Sequence, residues 1–217
     1  MKKLYLILIA WCVVLSDASA QWSWHAKAGA GLSTLSGYKT KFELKAGVGF
    51  HVGVGAAYDL GSGFGLQGTL MYVTRSFNTE GTAYGSWPYE TETFYKRDFD
   101  ASSLELPVQV SYAIGLGEDV SLKIMTGPSF GYGLDGSCET VSTNIQTGES
   151  AVTKGDYYDY VTDDRFDVGW NVGLMLDYKR FLIGLDGTWG ISGHSMFGDK
   201  GNKANNVRYS LSVGYCF

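Results

Sequence analysis

Three prolines, three cysteines and three histidines are all that the 217 residues contain, and only 18% of the chain is charged. So few cysteines rule out a small domain held together by disulfides. His25 and His51 stand far apart with no cysteine or carboxylate at ligand spacing, so no metal centre is expected. The formal charge is −5 and no basic stripe is present, which excludes a surface that follows a nucleic-acid backbone. After residue 20 no stretch reads as a long amphipathic helix. In abundance instead are 30 Gly, 15 Tyr, 11 Phe and 6 Trp. Glycines and aromatics in alternating runs suit a closed sheet with aromatic belts facing lipid.

The final strand, Val207 to Phe217, alternates apolar or aromatic with small or polar residues to its last position. Such strict alternation fits a wall with lipid on one side and a polar interior on the other. Tyr215 and Phe217 are expected to serve as the assembly signal read by the barrel-insertion machinery. At the other end, Met1-Lys2-Lys3 is a short basic segment, Leu4 to Leu15 is apolar, and Ala18-Ser19-Ala20 offers small residues for cleavage. Residues 1–20 thus read as a signal peptide and 21–217 as one barrel domain. The apolar run is shorter than the ~20 residues that span a bilayer as a helix.

Counting alternating segments gives eight strands, approximately Ser23 to Thr34, Leu44 to Asp59, Gly63 to Phe77, Ala101 to Gly115, Val120 to Leu134, Arg165 to Tyr178, Phe181 to Ser192 and Val207 to Phe217. In the second, Leu44, Ala46, Val48, Phe50, Val52 and Val54 face one way and Lys45, Gly47, Gly49, His51 and Gly53 the other. Three connections are short: Leu60-Gly61-Ser62, Leu116-Gly117-Glu118-Asp119 and Lys179-Arg180. Four are long: Leu35 to Glu43, Asn78 to Asp100, Asp135 to Asp164 and Gly193 to Asn206. This predicts an all-β fold, an eight-stranded antiparallel up-and-down transmembrane barrel with short periplasmic turns and long extracellular loops.

Eight strands leave an interior just filled by side chains. The inward polar faces assemble Lys27, Lys45, Arg75, Glu105, Lys123, Arg165, Asp167, Asp186 and Arg208 in one lumen, where both signs are present and can pair. Cys138 and Cys216 fall at opposite rims, too far apart for the ~7 Å limit of a disulfide, and are expected as free thiols.

Three segments carry a family resemblance. Lys27-Ala28-Gly29-Ala30-Gly31-Leu32-Ser33, Leu104-Glu105-Leu106-Pro107 and Gly127-Pro128-Ser129-Phe130-Gly131-Tyr132 resemble the first, "LE-x-P" and "GP-x-x-G" strands of the PorT-like outer-membrane β-barrel domains, OmpA/OmpX-like eight-stranded barrels. Phe166-Asp167-Val168-Gly169 and the Phe-ended last strand fit the same pattern. The resemblance implies an outer-membrane location; a few relatives take part in protein secretion. Pro107 and Pro128 both face inward in this register and read as bulge positions.

For chemistry, Ser192, His194, Ser195 and Asp199 bring a nucleophile, a base and a carboxylate close together in sequence. Adjacent His194 and Ser195 cannot share one side of an extended strand, so no catalytic residues and no cofactor are expected. The long connections carry the aromatics Tyr84, Trp87, Tyr89, Phe94 and Tyr95, and then Tyr157, Tyr158 and Tyr160, which suit contact with an extracellular protein or glycan. Thr140 to Ile145 and Ser150 to Thr153 flank Gln146-Thr147-Gly148-Glu149 as a hairpin. The expected partners are outer-membrane lipid, the assembly machinery and such a surface ligand, with the barrel as a monomer. The leading reading is a non-enzymatic anchor for loop contacts or envelope integrity. Its alternatives are a secretion component, a small transport or lipid-binding barrel, and a lipid-modifying enzyme.

Overall fold

The computed structural model describes residues 21–37, 42–84, 91–161, 165–196 and 199–217. Their elements, in order, are β1 (Trp22–Ser36), β2 (Glu43–Gly61), β3 (Phe64–Tyr84), β4 (Glu92–Gly115), β5 (Val120–Asn144), β6 (Ser150–Asp156), α1 (Tyr157–Val161), β7 (Phe166–Tyr178), β8 (Phe181–Gly190), β9 (His194–Met196) and β10 (Asp199–Cys216). Eight of them form an antiparallel ring in the order β1-β2-β3-β4-β5-β7-β8-β10. The pairing of β10 with β1, running from His25 opposite Cys216 to Ser36 opposite Asn205, closes it. A closed ring leaves no sheet edge at membrane depth, where an unpaired backbone group would find no water.

Period-2 alternation sets the two faces. On β3, Phe64, Leu66, Leu70 and Tyr72 are exposed while Gln67, Thr69, Met71 and Val73 are buried. Aromatics collect at both ends of this apolar wall. Trp22 against Tyr58 and Phe64 against Tyr112 lie at one rim, each pair with ring centroids 4.9 Å apart; Trp189 meets Tyr209 at the other at 5.7 Å. The outward indole of Trp170 donates to Thr126 Oγ1 at 2.9 Å, so its polar atom is satisfied on a lipid-facing surface.

The connections at the periplasmic rim are tight. Gly61 and Gly63 take φ of 85° and 84° around Ser62, and Lys179 takes 56° in the Lys179-Arg180 turn. At the outer rim the strands run on instead of ending. After Tyr72 the outward side chains of β3 are polar as far as Thr82, yet the strand continues a further dozen residues to Tyr84, about 40 Å. Much of what reads as loop in the sequence, Asn78 to Asp100 and Asp135 to Asp164, is therefore strand. Tyr84 pairs with Glu92, and Thr143 pairs with Ser150 across the expected hairpin turn. The result is a projecting sheet ordered β3-β4-β5-β6, with β6 paired to β5 alone among the described residues.

Two register shifts alter the sequence-based faces. Between Ala46 and His51 an extra residue on β2 forms a bulge, and a one-residue slip turns every side chain beyond it to the other face. Lys45 therefore points out, onto Glu80, while Leu44 points in. A second shift lies between Ser102 and Ser103 of β4, where β5 carries the extra residue Leu134. Neither proline sits at a bulge: the register is the same on both sides of Pro107 and of Pro128. Pro107 is buried as expected, but Pro128 opposes outward-facing Trp170 and so faces the same way.

Candidate functional site

The interior is filled in successive levels. Nearest the periplasmic rim, Lys123 pairs with Asp177 at 2.5 Å, Lys27 pairs with Asp186 at 3.4 Å, and Met125, Met175 and Leu182 pack beside Cys216. Above them runs a chain of neutral amides that crosses the lumen. Gln67 Nε2 donates to Gln109 Oε1 at 2.9 Å, Gln109 Nε2 to Asn171 Oδ1 at 2.6 Å, and Asn171 Nδ2 to Thr188 Oγ1 at 2.7 Å. His25 meets Thr69 Oγ1 at 3.0 Å at a similar depth. These amides occupy inward positions of the alternation, but being uncharged they carry no signal in a search for ion pairs.

The next level is ionic. Glu105 is 1% exposed and accepts from Arg208 Nη2 at 2.7 Å and from Arg75 Nη2. Arg75 also lies 3.7 Å from Asp167, which accepts from Asn206 Nδ2 at 2.8 Å and from the Ser192 hydroxyl at 2.6 Å. The two arginines and two carboxylates balance in charge, so the cost of enclosing each is offset by its neighbours. Of the sequence-read lumen set, Lys27, Arg75, Glu105, Lys123, Asp167, Asp186 and Arg208 thus point into the barrel. Two do not: Lys45 is outside because of the β2 bulge, and Arg165 precedes β7 at the exposed rim. There its guanidinium lies 4.6 Å from the Tyr158 ring centroid and donates to the Leu134 carbonyl at 2.8 Å.

An apolar cap closes the outer end. Leu35, Phe77, Phe99, Cys138, Tyr157 and Ala204 form one buried cluster, with Leu44, Ala101 and Tyr158 packed against it. Phe77 and Phe99 stack at 4.7 Å, and Tyr157 stands edge-on to both at 6.1 and 6.2 Å. Burial pushes the Tyr157 phenol well above the ordinary tyrosine range. Gly136 makes room for this residue, since a Cβ there would meet the Tyr157 side chain. Tyr157, read in the sequence as an exposed contact residue within an acidic run, is therefore the inserted cap, and Tyr158 is half-buried beside it. Long-range closure over Phe77 and Phe99 decides this, and no local pattern reports it.

Of the other expected contact aromatics, Tyr84 is exposed near the tip of the projecting sheet, and Phe94 and Tyr95 lie half-buried on its opposite faces. Tyr160 belongs to α1. Trp87 and Tyr89 lie outside the described residues, as does the segment 1–20. Tyr215 and Phe217 pack on each other at 5.7 Å at the periplasmic rim, where the Phe217 amide donates to the Trp24 carbonyl at 2.9 Å. Both cysteines are free.

The barrel is similar to several solved structures. Ail, the attachment invasion locus protein of Yersinia pestis, is 16% identical, with 91% of this chain and 99% of that one covered at a TM-score of 0.39. The outer membrane protein OprG from Pseudomonas aeruginosa is 13% identical, with 91% and 96% covered at 0.46. Neisserial surface protein A is 12% identical, with 89% and 97% covered at 0.39. No curated protein matches the sequence. The family model described as outer membrane protein beta-barrel domain matches residues 16–198, most of the chain. With its closed eight-stranded ring and its apolar outer wall, the chain belongs to the outer membrane protein β-barrel domain family.

Proposed function

We propose that the protein is a non-enzymatic anchor, a closed monomeric barrel whose work is done by the sheet it holds above the outer membrane. The observation that carries this reading is a contrast between two parts of the chain. Inside, ion pairs, amides and an apolar cap occupy the lumen level by level. Outside, β3 to β6 extend past the lipid-facing wall and end in the exposed strand β6, with Tyr84, Val152 and Ile145 at least half exposed. An edge strand with exposed apolar side chains offers backbone groups and side chains to an extracellular protein or glycan. In this reading residues 1–20 direct export and are removed before Gln21.

The Leu104-to-Pro107 and Gly127-to-Tyr132 segments resemble strands of PorT-like barrels, and a place beside a secretion apparatus is the second reading that this resemblance supports. Both readings put the contact surface outside.

The test is a trimmed barrel in which residues 82–92 and 141–152 are each replaced by a two-residue turn. This leaves the interior levels and the cap in place. The purified full chain is expected to bind on arrays of extracellular proteins and glycans, and the trimmed barrel to fold equally well and bind nothing. A trimmed barrel that keeps every interaction of the full chain would overturn the assignment.

A further inference from the structure

Gln21 is exposed at the periplasmic rim, one position before β1. Its neighbours belong to the aromatic belt. Trp22 and Trp24 are exposed on the outer wall, and Trp22 packs on Tyr58 with ring centroids 4.9 Å apart. Two hydrogen bonds hold Gln21 to β2. The Asp59 amide donates to its backbone carbonyl at 2.8 Å, and the Tyr58 phenol donates to its side-chain oxygen Oε1. The Asp59 carboxylate is turned into the connection that follows, where its Oδ1 accepts from the Gly61 amide at 2.8 Å.

A glutamine at a free N terminus carries a nucleophile and an electrophile within reach of each other. Its neutral α-amine attacks its own Cδ: the N–Cδ bond forms, the Cδ–Nε2 bond breaks, and one amine proton passes to the departing Nε2. Ammonia leaves, the five-membered lactam pyroglutamate remains, and no oxidant or co-reactant is needed. An ordinary α-amine has a pKa of about 8, so part of it is neutral near pH 7. The attack puts negative charge on Oε1, where a donor already in place stabilises the step. Tyr58 is that donor. The lactam keeps the backbone N–H and both oxygens that β2 holds. It gives up only the –NH2 group and the positive charge of the terminus. A neutral ring also suits the belt beside Trp22, where an ammonium has to stay in water.

We propose that the folded rim closes Gln21 into pyroglutamate, with the Tyr58 phenol donating to the oxygen on which charge develops; this rests on the removal of residues 1–20 at the Ala20–Gln21 bond. Folding is what brings the donor to the amide, since Tyr58 reaches Gln21 only through the pairing of Trp22 with Tyr58 across β1 and β2. The closed ring blocks the terminus against aminopeptidases and leaves the β1–β2 pair with a neutral end. Its place is the periplasmic rim, so it stands whatever contacts the projecting sheet makes outside.

The test has two arms, both read by intact mass and by sequencing of the first peptide. Protein extracted from outer membranes is expected to begin at residue 21 and to be lighter by one ammonia, lost from Gln21. In the second arm the purified full chain, folded in detergent, is cleaved by signal peptidase with no other enzyme present, and closure is followed in time. Tyr58→Phe keeps the ring against Trp22 and removes the donor. It should slow closure about tenfold, the effect of one hydrogen bond to a developing oxyanion. The cleaved chain held unfolded in urea should close as slowly as the Tyr58→Phe barrel. A Gln21 amine that stays free would overturn the proposal and leave the removal of residues 1–20 standing. Residues 1–20 still present on the extracted protein, or cleavage at another bond, would overturn both. One rate of closure in the unaltered barrel, the Tyr58→Phe barrel and the unfolded chain would mark the ordinary chemistry of any N-terminal glutamine and overturn the role of the rim.

Discussion

Arg208 on β10 donates to Glu105 on β4 at 2.7 Å, and these two strands stand diametrically opposite in the eight-membered ring. The pair is a strut across the lumen. With Arg75 on the other oxygen of Glu105, it ties together three strands that share no common backbone pairing beyond β3 with β4.

Removing the shared carboxylate should be the most damaging single change in the interior. Glu105→Gln leaves the buried Arg208 guanidinium without its counter-charge and Arg75 with Asp167 alone, and is expected to cost about 3–5 kcal/mol in unfolding experiments in lipid. The quadruple variant Arg75→Met/Glu105→Leu/Asp167→Asn/Arg208→Met, which removes all four charges, should recover most of that loss, because the individual effects of a coupled network do not add. Equal urea midpoints for Glu105→Gln and the unaltered barrel would contradict the strut.

The cap over this cluster can be read through Cys138. Its thiol is buried against Phe99, and burial pushes its pKa up. Because the thiolate is the reactive form, labelling by a maleimide in a Cys216→Ser background should be slow at neutral pH. It should keep rising at a pH where an exposed thiol has already levelled off. Gly136→Val, which sets a side chain against Tyr157, should open the cap and speed labelling about tenfold, the effect of about 1.4 kcal/mol on local opening. Rapid labelling of the unaltered barrel would show that no cap is in place.

The β2 bulge predicts a reversal of the usual expectation for two adjacent residues. Lys45→Leu should change stability by no more than about 0.5 kcal/mol, as for a surface position. Leu44→Asp, which sends a carboxylate into the apolar cap, should cost about 2 kcal/mol or more. The opposite ranking would restore the unbulged register.

That bulge also shows how far the sequence can be read. The eight ring strands, the short periplasmic turns and the inward positions of Glu105, Asp167 and Arg208 follow from period-2 alternation, because lipid outside and polar groups inside enforce it at every residue. Through Ala46-Gly47-Val48-Gly49 the pattern continues without a break although the register slips. Glycine has no side chain to report which face it occupies, so the flip of Lys45 is silent. Above the membrane the constraint itself disappears. Beyond the cap formed on Phe77, Phe99 and Cys138, both faces of the β3–β6 sheet meet water, alternation weakens, and the strands read as polar loops.

The central claim is that the barrel is closed along its length and acts through its outer surface. Planar-bilayer recording of the purified protein tests this most directly. Levels of ion pairs, amides and stacked aromatics in an eight-stranded lumen predict no steady conductance, with or without the projecting sheet. A reproducible, steady channel in the unaltered protein would contradict the account and make the lumen, with Arg75, Glu105 and Arg208 lining it, the working site.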